Sequence, residues 1–426
     1  MASAGLTPDP ERVLADLREL RELTEDEHGA QRLCWTDTWA RARRWFDSKL
    51  EGLAVERVLD PAGNKWVILH GDDPRSLVLG GHIDSVPNGG WLDGSLGLLA
   101  GLEVLRALAA RGRPPVTVKV VDWADEEGAR FGWGMLGSSA ASGTLDLQAI
   151  GGLEDRDGNR LPDVLGEYGV EVAKMPGARA SLDGVLGYVE LHIEQGPVLE
   201  DLGLPLAVVR GTVGVERHVV RFTGQAAHAG PTPMDRRREA LAASSRLVLG
   251  MREMALQAGA KFTAGRCVTR PGVATVVAEE VDLTVDQRHP DAQVLADCLT
   301  RAQRLAREIA ESERVQCEWS RLWDIEPIAF DHELIEIAQA AVFELSGHAH
   351  TMDSGALHDA AEVARAGIPT VMLFVQSLGG LSHAKLEDTR EEDLILAVKA
   401  LASTVERSLA WAADAARTPT PGDGSV

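Results

Sequence analysis

At 426 residues with 45% hydrophobic side chains, the chain is too long for one small core and has ample material for two domains. Acidic residues outnumber basic ones 65 to 43, a formal charge of -22, which argues against nucleic acid and anionic membrane as partners. Four dispersed cysteines, Cys34, Cys267, Cys298 and Cys317, lack the spacing of a zinc knot or disulfide framework. With no leader-like N-terminus and no apolar run near the roughly 18 residues of a membrane span, a cytoplasmic location is expected.

Taken in order, Pro10–Leu23 reads as an amphipathic helix, with Val13, Leu14, Leu17 and Leu20 on one face. A second helix is expected after an N-cap at Thr36. Strands follow at Ala54–Leu59, Lys65–His70 and Ser76–Ile83; the last runs into a Gly-rich turn carrying His82, Asp84 and Asp93. A Leu-rich helix leads to the strand Val116–Trp123, which ends in Asp125-Glu126-Glu127. After a helical and irregular stretch, Gly143–Asp183, the strand Gly187–Ile193 ends in His192-Ile193-Glu194-Gln195.

From about Gly211 the texture changes. A strand at Val219–Thr223, a helix near Asp235–Gln257, strands near Gly272–Ala278 and Val281–Arg288, a helix Pro290–Ser312 and a strand Val315–Trp323 spell βαββαβ, the ferredoxin-like order. In Val281–Arg288 the residues Val281, Leu283 and Val285 share one face, so Arg288 points off the core. The α/β texture then returns with a helix Asp331–Ser346, a loop holding His358, a strand Thr370–Val375, Ser382-His383 and a last helix from Glu391. The expected domains are 1–212 with 328–416, an insert at 213–327, and a disordered Pro/Gly/Ser-rich tail at 417–426.

His82, Asp93, Glu126, Glu127, His192 and His383 each fall just beyond a predicted strand of the first texture. The carboxyl edge of an open α/β sheet is where ligands bind, so their separation in sequence is no obstacle to meeting. A two-metal hydrolase needs a bridging carboxylate, two further ligands per ion and a spare carboxylate as base. Asp93 could bridge, three histidines and one Glu could complete both shells, and the other Glu would remain.

The segments GGHIDSVPNGGWLDGSLGLLAGLE, Glu126-Glu127-Gly128, HIEQGPVLE at 192–200, GQAAHAGPTPM at 224–234, DQRHPD at 286–291 and SGALHDA at 354–360 resemble the hydantoinase/carbamoylase branch of the M20 metallopeptidase-like family. The likeness runs from about Leu14 to Leu409, and His192-Ile193-Glu194-Gln195-Gly196 is its most specific element. It implies an α/β fold: a mixed-sheet catalytic domain of di-zinc aminopeptidase type with an inserted ferredoxin-like α+β lid and dimerisation domain. It implies two divalent ions per subunit (zinc, or manganese, cobalt or nickel), bridged by Asp93, with His82 and His192 completing one shell and Glu127 and His383 the other. Glu126 is then the general base and Asp84 supports His82. His228 reaches the active site of the partner subunit in a homodimer. Arg288 binds a substrate carboxylate, with Gln195 and His358 lining the pocket.

Four stretches depart from the branch pattern. Thr275-Val276-Val277-Ala278 stands for Asn-Val-Ile-Pro, so Thr275 occupies a substrate-holding position; Leu357 replaces a Gly, Gln376 a Pro and Ser139 an Arg. None touches an expected ligand, so they bear on substrate identity rather than on hydrolysis. The implied activity is metal-dependent cleavage of the ureido C–N bond of an N-carbamoyl L-amino acid, giving amino acid, carbon dioxide and ammonia. Allantoate or another linear amide or ureido compound is the alternative substrate, and a non-catalytic binding protein on the same scaffold the remote one.

Overall fold

The computed structural model describes residues 5–417. The expected disordered tail lies outside the described residues, apart from Arg417, which ends the last helix, Glu391–Arg417. The chain divides into two compact units, one formed by residues up to Arg210 with those from Ala329 onward, the other by Gly211–Ile328.

In the first unit, Asp9 caps the helix Pro10–Thr24 by accepting the Arg12 amide, and Val13, Leu14, Leu17 and Leu20 are its buried face. Thr36 caps Asp37–Ser48 through the Trp39 amide. The centre is a mixed sheet. Thr370–Val375, Val185–Ile193, Asp73–His82 and Val116–Trp123 lie side by side and parallel. Leu206–Thr212 flanks them antiparallel on one side, and Lys65–Leu69 followed by Glu56–Leu59 on the other. The parallel strands are near-continuous apolar runs because both faces are covered. Ser95–Arg111 packs on Asp73–His82, and Glu391–Arg417 on Val185–Ile193 and its neighbours. The chain leaves Asp73–His82 toward Val116–Trp123 on one side, while Val185–Ile193 takes the other, so His82 and His192 straddle the reversal of strand order where crevices open.

In the second unit, Gly214–Thr223, Lys261–Arg270, Glu280–His289 and Gln316–Ile325 form an antiparallel sheet. The helices Ala240–Ala258 and Ala292–Glu313 pack on it. Val220, Phe222, Val281, Leu283 and Val285 meet Leu247, Met251, Ala302, Ala306 and Ile309 in its core.

Two differences from the sequence reading have physical causes. The second strand of the βαββαβ unit is Lys261–Arg270, and of Gly272–Ala278 only Val276–Val277 pairs. Lys261–Arg270 is an edge strand, mostly exposed and broken by a register shift between Thr263 and Arg266, so its hydrophobic alternation is faint. Leu206–Thr212 has no counterpart among the expected strands, because Leu206–Val209 is too short an apolar run for periodicity to separate from a loop. Among the described residues no helix is long and apolar enough to cross a membrane.

Candidate metal centre

His82 and His192 sit at the ends of parallel strands, and Asp93, Glu127 and His383 in the loops that follow such strands. His82 is the last residue of its strand, and its ring lies against Gly94. A Cβ at Gly94 would stand 2.3 Å from that ring, and φ there is +64°, so glycine is required twice over. Asp125, Gln195 and His383, with φ of 58°, 57° and 54°, are left-handed without being glycine. Such backbone costs about 1–3 kcal/mol per residue and tends to cluster where side chains are aimed for function.

Asp93 is the hub. Its Oδ1 lies 3.1 Å from His192 Nε2 and 3.9 Å from His82 Nε2, and its Oδ2 lies 3.4 Å from His383 Nε2. His383 Nε2 is also 3.2 Å from Glu127 Oε2. The ligand atoms therefore form two groups that share Asp93, His82–Asp93–His192 and Asp93–Glu127–His383, each tight enough to hold a metal ion. Glu126 belongs to neither; its Oε2 is 3.7 Å from His82 Nε2.

The orientation of the imidazoles tests whether these residues fit a cation. His192 Nδ1 donates to the Ile193 carbonyl at 2.9 Å, so the neutral ring turns a lone pair toward Asp93 Oδ1. That buried Nε2 makes no hydrogen bond among the described residues. Two acceptors 3.1 Å apart require a cation, either a proton on the ring or a metal ion. His82 is oriented likewise, with Nδ1 3.2 Å from the Asp84 carbonyl and 3.5 Å from Asp84 Oδ1, leaving Nε2 for the centre. Asp84 Oδ2 also accepts the Glu127 amide at 3.2 Å.

The electrostatics point the same way. Burial raises the Asp93 carboxyl, but the close approach of His192 and the charge of His192, His82 and His383 outweigh it and hold Asp93 below the usual carboxylate range. Glu126 is pushed well above that range by burial, which His82 opposes and Asp359, Glu127 and Asp93 reinforce. Burial raises Glu127 too, against the pull of His383. His383 is raised to about 9, chiefly by its hydrogen bond to Glu127. Three carboxyl groups crowded in low dielectric form a site that favours divalent cations.

The remaining expected residues are distributed as follows. Gln195 donates from Nε2 to Asp93 Oδ2 at 2.9 Å and to Ser382 Oγ at 3.2 Å. His358 is buried, its ring centroid 4.3 Å from that of His192 and its Nε2 3.0 Å from Ser354 Oγ. Gln376 is buried and accepts both Nε and a terminal nitrogen of Arg390. His228, Thr275 and Arg288 belong to the second unit. There the exposed His228 pairs with Val276, and the Ala229 amide donates to the Thr275 carbonyl at 2.8 Å. The Gly230 amide donates to His228 Nδ1 at 3.1 Å, which leaves the proton of the neutral ring on Nε2. Arg288 is held by Asp286, Nε to Oδ1 at 2.8 Å.

Sequence reasoning missed Glu387 and Ser382. Ser382 Oγ stands 2.9 Å from Asp93 Oδ2, and Glu387 accepts the Leu92 and Asp93 amides. Ser382 precedes a candidate ligand and could have been flagged on that ground; nothing in the local pattern distinguishes Glu387 from a surface acid.

Comparison with known proteins gives consistent matches to one family model, two relatives and one solved structure. Residues 78–407 match the model of peptidase family M20/M25/M40. The chain is 35% identical over 402 residues to an N-carbamoyl-L-amino acid amidohydrolase of Geobacillus stearothermophilus, covering 93% of this chain and 97% of that one. It is 34% identical to an allantoate amidohydrolase of Escherichia coli, over 90% of this chain and 93% of the relative. A hydantoinase/carbamoylase family amidase from Burkholderia multivorans superposes with a TM-score of 0.85 at 31% identity, covering 95% and 99% of the two chains.

Proposed function

From a chain that belongs to peptidase family M20/M25/M40, we propose a metal-dependent amidohydrolase that cleaves the ureido C–N bond of an N-carbamoyl L-amino acid. Water adds across the ureido group, and amino acid, carbon dioxide and ammonia leave. The observation that carries the reading is the shared carboxylate: Asp93 turns one oxygen to His192 and His82 and the other to His383.

In this reading two divalent ions would be held with Asp93 common to both, one also by His82 and His192 and the other by Glu127 and His383. Such ions supply Lewis acidity to a carbonyl and make water a nucleophile near neutral pH. Zinc, manganese, cobalt and nickel all suit this His/carboxylate set. Glu126 takes a proton from the attacking water and delivers it to the leaving nitrogen. Its raised affinity for protons suits that exchange. Asp84 keeps His82 turned with Nε2 inward. Gln195 steadies Asp93, and His358 backs His192, both at the edge of the substrate pocket.

The second unit contributes the lid. His228, with its proton on Nε2, donates to the oxyanion that develops on the carbonyl, and it does so in the other subunit of a homodimer. Arg288 takes the substrate carboxylate, kept in place by Asp286. Thr275, one residue before the segment that pairs with His228, borders the same substrate. The four cysteines are free thiols, which suits the cytoplasm.

Allantoate is the second substrate reading, favoured by the Escherichia coli relative. Ammonia release measured across N-carbamoyl L-amino acids, their D-enantiomers and allantoate, with free amino acid measured on N-acyl amino acids, tests the choice. Turnover greatest on an N-carbamoyl L-amino acid is the expected outcome. Turnover confined to allantoate would replace the substrate, and none on any ureido compound would overturn the proposal.

A further inference from the structure

Glu387 lies outside both candidate ligand groups, yet it touches both loops that carry them. It is buried. Its Oε1 accepts the backbone amides of Leu92 and Asp93, each at 3.0 Å. Its Oε2 lies 3.1 Å from Ser382 Oγ, next to His383 in sequence. The same Ser382 hydroxyl lies 2.9 Å from Asp93 Oδ2 and accepts Gln195 Nε2 at 3.2 Å. One carboxylate therefore spans from the backbone of the shared aspartate to the loop of a ligand found in only one group.

The surroundings leave room for this side chain and little else. A Cβ on Gly90 would come within 2.1 Å of the Glu387 carboxyl, so the chain passes there only as glycine. The Glu387 amide closes a turn over 384–387 onto the Ala384 carbonyl at 2.9 Å, and His383, immediately before that turn, holds a left-handed φ of 54°. Arg32, a fully buried guanidinium, places its charge where Glu387 is its foremost acidic neighbour, while its own bonds go to the Ile83 carbonyl at 2.7 Å and Ser95 Oγ at 3.0 Å.

We propose that Glu387 is a positioning residue that sets the distance between the two ion positions, by tying the Leu92–Asp93 backbone to the Ser382–His383 loop through one buried carboxylate. The inference rests on the two-ion reading above. It makes reach, not charge, the property that matters. Glutamine keeps the reach: its carbonyl accepts the two amides and its NH2 faces Ser382 Oγ. Aspartate keeps the charge but is shorter by one methylene, about 1.5 Å, and cannot meet the amides and the hydroxyl together.

The test is titration of the metal-stripped full chain with Mn(II), followed by calorimetry and by the exchange-coupled EPR signal of a manganese pair. Wild type binding fewer than two Mn(II) per chain would refute the two-ion reading itself, whatever Glu387 does. With two bound, Glu387→Asp should weaken the second ion about 10- to 100-fold, the usual effect of losing an outer-shell support, and reduce the coupled signal. Glu387→Gln should stay within about threefold of wild type in affinity and keep the coupling. Wild-type binding in Glu387→Asp would overturn the proposal, and so would a loss in Glu387→Gln as large as in Glu387→Asp.

Discussion

Glu126 and Glu127 are neighbours in sequence with different surroundings. Glu127 Oε2 is 3.2 Å from His383, whereas Glu126 Oε2 lies 3.7 Å from His82. Glu126→Gln should therefore keep both ions and lower kcat by at least about 100-fold, the usual worth of a general base. Glu127→Gln should lose metal affinity first, and metal analysis of the two variants at equal concentration reads the difference directly. His383 supplies a pH dependence with a defined sign. Raised to about 9, chiefly by Glu127, it is protonated near neutral pH in the metal-free chain and must give up that proton to accept a cation. Apparent metal affinity should rise as pH climbs toward 9 and weaken as it falls. Calorimetry in two buffers of different ionisation enthalpy should record net proton release near neutral pH. Affinity constant over that range would count against His383 as a ligand.

At the scale of elements, the site depends on where parallel strands stop. Asp73–His82, Val116–Trp123, Val185–Ile193 and Thr370–Val375 end together, and the turns beyond them aim the side chains. Gly94→Ala should cost roughly 1–2 kcal/mol for its left-handed backbone alone and displace the His82 ring, which a Cβ would meet at 2.3 Å. Loss of metal with the fold retained by circular dichroism is the expected result; unchanged metal content would show that the ring has room to retreat. These strand ends were legible in the sequence because each apolar run is bounded by Gly, His or acidic residues, as in Leu77–Asp84 and Val116–Glu127. Lys261–Arg270 was not legible, because an edge strand exposes side chains of both faces. Glu387 was not legible either, because its role depends on backbone amides of residues almost three hundred positions away, and no local spacing encodes that contact.

At the scale of the whole molecule, the proposed shared active site has a consequence that neither unit has alone. If His228 serves the other subunit, His228→Ala and Glu126→Gln should complement each other. After subunit exchange half of the dimers are mixed, and one of the two sites in each has both groups, so activity should return toward about a quarter of wild type. Exchange demonstrated without recovery would place His228 within its own chain's site or outside catalysis. All of this depends on the cation pair around Asp93, and one measurement addresses it most directly: metal content and ammonia release from an N-carbamoyl L-amino acid, followed on one sample before chelation, after chelation and after divalent metal is restored. Two ions per chain are expected, with activity abolished by their removal and recovered with their return, and neither ions nor activity in Asp93→Ala. Full activity in protein stripped of metal would contradict the two-ion reading.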